Sequence, residues 1–339
     1  AAAKYASISQ EILRAIEKGN EYLKSKQNPE GYWAQPSYPA LTALAVTAYM
    51  RDPANQGKPV PEYIRKGYDF ILKSQKEDGS IFNRGMSSYN TAVCMMALLA
   101  ANKEEYAPAI LKGRAYLIKQ QNHFAPDNPY NGGIGYGDKQ APPIADLSNT
   151  SLALEAIYYS QKLAKDGKYG EQPDLDWNAA TEFINRCQQN PAVNKEPWVS
   201  NDKSQLGGFV YRPGVSSARD KKSAAFDKAE PPKAYGSMTY AGMQSLIYAN
   251  VDKNDPRVKL ALKWLENSYS LDENPGMGVQ GLYYYYQAMS KALSAMGIDT
   301  LTLENGRKVD WRDELANKLI SIQKSDGSWV NTNNRWWEA

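Results

Sequence analysis

The chain has 339 residues, with Lys+Arg 40 against Asp+Glu 37 and a formal net charge of +3. That length suits one large domain or two ordinary ones. The near balance, with no block of like charge, gives no support to a nucleic-acid or anionic-membrane partner, and no apolar run reaches the roughly 18 residues of a membrane span. Cys94 and Cys187 offer neither a disulfide framework nor a zinc spacing, and the sole histidine, His123, lies in a Gln-Asn-His loop. No metal and no cofactor is expected from these residues. The 24 Tyr and 8 Trp are frequent and suit either a carbocation-lined pocket or a sugar-stacking cleft. The start AAAKYASISQ, without Met, is what signal cleavage or other trimming leaves behind. It tilts the expectation towards an exported or periplasmic protein whose signal peptide has been removed.

Apolar residues recur at helical spacing from Ile8 to Lys26, and a turn of the form QNPEGYW follows. Pro39 to Met50 then predicts a second helix, almost uncharged. The same unit recurs around Tyr68–Asn102, where Gln75, Asp78, Gly79 and Ser80 form a turn between two helical patterns. Gly accepts the positive φ such a turn requires. A third unit starts near Ala107, passes Gln120-Gln121 and a Gly-rich stretch, and resumes at Ser148-Asn149-Thr150. The fourth holds Phe183, Ile184 and Cys187-Gln188, then a long connection from about Asn190 to Tyr235 that is read as a lid-like insertion. The fifth runs from Val258 past a Gly turn to LYYYYQAMSKALSAM. The sixth ends in Gln323…Gly327-Ser328-Trp329. In each complete unit the first helix is amphipathic and the second small and nearly charge-free, so the second is buried on all sides. Six such pairs predict an all-α chain, an α/α toroid of about six helix–turn–helix repeats with outer and inner layers, spanning 1–339 as one domain. The pattern expects a sixth inner helix after Trp336-Trp337-Glu338 and does not find it.

The turns of the form Gln-x3-Gly-x-Trp, best at Gln27…Trp33 and Gln323…Trp329, resemble the QW-type repeat of the terpenoid cyclases and protein prenyltransferases. That family includes the squalene–hopene and oxidosqualene cyclases and the prenyltransferase β-subunits. Gln75…Gly79 and Gln188…Gly207 are degenerate copies. The resemblance implies that these Gln and aromatic residues tie units together. It also implies an acid motif D-x-D-D-T at the start of an inner helix. The match is Asp146-Leu147-Ser148-Asn149-Thr150, where Ser148 and Asn149 replace the central carboxylates. Neither can protonate an alkene, so the expectation is not a standard protonating triterpene cyclase. Asp146 is then the candidate catalytic residue, with helix capping as its alternative role. The Asp, Cys and His that bind zinc in the prenyltransferases find no counterpart.

Candidate ligand-binding residues are Ser148, Asn149, Tyr240 and the run Tyr283, Tyr284, Tyr285 and Tyr286. Four consecutive helical residues cover the whole circumference, so one or two must face a cavity. Three readings stand. One is a squalene cyclase-like protein with a central cavity for an isoprenoid or other apolar ligand. Another is an exported carbohydrate-active toroid, a glycosidase or polysaccharide lyase, drawing on Asp138, Asp146 and Asp202 as carboxylates. The third is a non-catalytic scaffold with a filled barrel.

Overall fold

The computed structural model describes residues 2–137, 144–218 and 231–333. Helices come in pairs: α1 (Ala2–Lys26) with α2 (Pro39–Arg51), α3 (Glu62–Lys73) with α4 (Ser87–Ala101), and α5 (Ala107–Lys119) with α6 (Leu147–Tyr159). After a short helix α7 (Gln161–Lys165) come α8 (Trp177–Cys187) with α9 (Gly236–Tyr248), then α10 (Pro256–Asn267) with α11 (Leu282–Met296). A hairpin of β1 (Thr300–Thr302) and β2 (Lys308–Asp310) precedes α12 (Trp311–Ile322). The fold is all-α, an α/α toroid. Helices α2, α4, α6, α9 and α11 pack side by side as the inner layer, and α12 packs on α1 to close the outer one. Between them lies the core, rich in Ala, Leu, Met and Tyr. The residues expected to follow with a sixth inner helix, 334–339, lie outside the described ones.

One device joins successive units. Gln75 donates through Nε2 to its own turn at Gly79 O (3.2 Å) and to the next outer helix at Ala109 O (2.9 Å). Gln27, Gln121, Gln188 and Gln323 do the same. Beside each Gln sits a glycine pressed on that next helix. Gly79 has φ +91, and a Cβ there would lie 2.2 Å from Lys112 O. In the last copy Gln323 and Gly327 reach Ala15 and Lys18 of α1, so the outer ring closes by the same device that builds it.

A second device ties each turn to its inner helix. The backbone N–H of Trp33, Ile81, Ile134 and Phe209 donates to Thr42, Thr91, Thr150 and Thr239 Oγ1 respectively. The last three hydroxyls also donate back to the carbonyl four residues earlier.

Two of the few charges of the inner helices pair: Glu155 of α6 and Lys291 of α11 form an ion pair at 2.8 Å. A carboxylate this buried stays ionised inside a protein only when paired. The hairpin and α7 are additions that no apolar periodicity announced.

Candidate functional site

The repeat serves as its own control. Thr150 has counterparts in three other inner helices, so the Thr of Asp146–Thr150 is accounted for by the fold. Four residues before the Thr stand Tyr38, Ser87, Asp146 and Tyr235 in the four helices. Asp146 alone is a carboxylate, so it is not a requirement of the repeat.

Asp146 caps α6 and is almost wholly buried, 2% exposed. Oδ1 accepts the Asn149 backbone N–H at 2.8 Å and Oδ2 accepts Asn149 Nδ2 at 2.8 Å. The Tyr211 side chain lies near enough to act on its charge, while its own hydroxyl donates to the Tyr136 hydroxyl at 3.5 Å. Burial pushes the carboxyl up to about 6, against the pull of the Asn149 hydrogen bonds, the Tyr211 side chain and the Arg212 charge. At neutral pH it is therefore mostly a carboxylate whose oxygens are already engaged. Tyr211 belongs to the long connection between α8 and α9, and its carbonyl accepts the Leu147 N–H at 2.8 Å. That connection is thus bound to the start of α6 through its backbone.

Next to Asp146, Ser148 faces inward, its Oγ 3.0 Å from the Tyr284 hydroxyl of α11. Seven residues further along both helices comes the Glu155–Lys291 pair. Seven residues are two helical turns, so both contacts lie on one face of each helix. They form two rungs between α6 and α11, which are separated by α9 in the inner layer. Tyr89 of α4 and Tyr284 of α11 are half-buried. Burial pushes the Tyr89 hydroxyl up to about 12. Burial raises Tyr211, Tyr235 and Tyr284 further, with the Asp146 charge adding to each. All remain neutral hydroxyls at physiological pH. Leu152 of α6 and Met96 of α4 are half-buried, and Leu44 of α2 is 39% exposed.

The structure therefore brings together Asp146, Ser148, Asn149 and Tyr284. The other predicted tyrosines go elsewhere. Tyr285 and Tyr286 donate to the carbonyls of Ser270 and Leu271, on the loop after outer helix α10, and Tyr240 packs on Tyr285 with ring centroids 5.7 Å apart. These three fill the space between the layers. Tyr283 turns to Val330 O, beyond α12. Tyr158 and Tyr159 stand exposed at the far end of α6 against Tyr248. Sequence reasoning missed Tyr89, Tyr136, Tyr211, Glu155 and Lys291. For the last two the signal was present, since Ser148/Glu155 and Tyr284/Lys291 share the same spacing.

The chain matches no family model. Its structure is similar to that of a type II terpene cyclase from Scytonema in complex with its product, merosterolic acid A. The TM-score is 0.54 at 11% identity, over 96% of this chain and 83% of that one. The fold is terpene cyclase-like. A protein from Actinoplanes matches with a TM-score of 0.51 at 12% identity, over 94% of this chain and 83% of its own.

Among the described residues, the carboxylates named for the carbohydrate reading form no pair. Asp202 is exposed and caps a tight turn at Ser204 N, and Asp138 lies outside the described residues. Asp146 and Glu155 are nine residues apart on one helix, about 13.5 Å along the axis at 1.5 Å per residue, beyond the roughly 5–9.5 Å of glycosidase pairs. Among the described residues no three His, Cys, Asp or Glu side chains gather as a metal site needs. None of the described helices is long and apolar enough to cross a membrane. Cys94 and Cys187 are buried thiols, and His123 is exposed on its loop.

Proposed function

We propose that this chain is a squalene cyclase-like protein of one toroidal domain whose lumen receives an isoprenoid or other apolar molecule. Ser148 and Tyr284 meet the polar end of that molecule. The connection from about 190 to 235 covers the mouth through Tyr211. Asp146 holds Asn149 in place and acts as a fixed anionic acceptor, not as the acid that begins a cyclisation. The observation that carries this reading is the Ser148–Tyr284 contact, directly beside Asp146, a carboxylate that the three matching inner-helix starts lack. The Scytonema cyclase, similar in fold, holds merosterolic acid A, which supports a terpenoid-sized occupant. A carboxyl with a pKa near 6 is mostly ionised at neutral pH, and each of its oxygens accepts from Asn149, so it holds little proton to give an alkene.

Equilibrium binding of geranylgeraniol and squalene tests the reading. Binding without cyclised product is expected, and Tyr284→Phe should weaken the alcohol by about tenfold while leaving squalene unchanged, because only the alcohol uses the lost hydroxyl. Cyclised product abolished by Asp146→Ala would instead restore Asp146 as an acid. The scaffold reading is second. It draws on the two side-chain rungs between α6 and α11, and it expects no binding of either probe.

A further inference from the structure

A cleft of about 430 Å³ opens between α1, the C-terminal end of α2 and the start of α3, away from the lumen. Its floor is Asp52, 6% exposed. Oδ1 accepts the Ala54 N–H at 2.9 Å, and Oδ2 accepts Asn20 Nδ2 at 2.9 Å and Asn55 Nδ2 at 3.2 Å. Two tyrosine rings stand beside it, Tyr49 and Tyr63, edge to face at 80° with centroids 5.8 Å apart. Burial raises both hydroxyls, and the Asp52 charge raises them further, so both stand within its field. The C-terminal end of α2, the negative end of its dipole, lies at the same cleft, its Tyr49 O accepting Asn55 Nδ2 at 3.3 Å. A cation already rests on one ring: Lys24 Nζ lies 5.6 Å from the Tyr63 centroid. At the rim the exposed Glu17 and Glu21 offset Arg14 and Lys58.

We infer that this cleft binds a small quaternary ammonium compound, with Tyr49 and Tyr63 as its aromatic walls and Asp52 as its counter-charge. The hydrogen-bonding of Asp52 selects the class. Three donors already occupy the carboxylate, leaving a primary ammonium at most one lone pair at the floor of the cleft. A methylated ammonium donates no hydrogen bond and needs only the charge and the π faces. Lys24, exposed and mobile on its stem, competes for the same ring.

Calorimetric titration of the full chain with choline tests this, beside the uncharged carbon isostere of choline. Choline should bind, the isostere about tenfold more weakly or not at all, and Asp52→Asn should weaken choline by a similar factor. Lys24→Met should tighten choline by about threefold, since it removes the internal competitor. A gain of affinity cannot come from misfolding, so this variant guards against a destabilised Asp52→Asn. No choline binding, equal binding of the isostere, or choline affinity unmoved by both substitutions would overturn the inference.

Discussion

Asp146 stands where burial works against its charge. The carboxyl titrates near 3.8 when free and at about 6 in the folded chain. Between those values the folded state holds a proton that the unfolded state has released, so stability falls as pH rises through that window and levels off above it. The change amounts to about 3 kcal/mol. Urea unfolding near pH 4 and pH 7 should show the wild type losing about that much relative to Asp146→Asn, which has no such titration. A constant difference between the two proteins would remove the burial argument. The sequence marked Asp146, Ser148 and Asn149 as neighbours because they share the first turn of one helix. It could not mark Tyr211, which comes near the carboxylate from the connection after α8, because no local pattern links a loop tyrosine to a helix start far away in the chain.

Helices α6 and α11 face each other through the two rungs. Glu155 is almost wholly buried, so Lys291→Met leaves its charge unpaired and should cost about 3–5 kcal/mol, while Glu155→Leu combined with Lys291→Met recovers most of that loss. A double-mutant cycle by chemical denaturation reads the difference. The same level explains why Tyr240, Tyr285 and Tyr286 were misplaced. A run of four tyrosines guarantees that one faces inward, but which one depends on the rotation of α11. That rotation is set by the Tyr285 and Tyr286 hydroxyls bonding the loop after α10. The turns obey stricter local rules. Gly79→Ala combines a positive φ with a Cβ 2.2 Å from Lys112 O, and should cost about 3 kcal/mol.

Across the whole molecule the Gln bridges decide cohesion. Gln323→Ala removes the bond from the last turn to Ala15 O of α1 and the bond within the turn to Gly327 O, at about 1–3 kcal/mol. Native-state hydrogen exchange should then show α1 and α12 opening before α4 and α9; uniform loss across all helices would mean that the ring does not depend on that junction. The toroid itself was legible because Gln27, Gln75 and Gln323 keep four residues to their glycine. Gln121 was hidden because its glycine partner lies 11 residues on, and Gln188 was half-hidden at 19. Insertions in a turn lengthen the chain between the two groups but leave their contact in space intact, and only the folded chain shows that contact. The ligand is less legible still, since small apolar side chains facing a lumen read the same as those packed in a core.

Photo-crosslinking with a diazirine-bearing geranylgeraniol, followed by peptide mapping, addresses the lumen most directly. Labels on α4, α6 and α11 around Tyr89, Leu152 and Tyr284, displaced by unlabelled geranylgeraniol, are the expected result. Labels confined to the outer helices, or labelling that the competitor does not reduce, would contradict a ligand-binding lumen and leave the toroid as a filled scaffold.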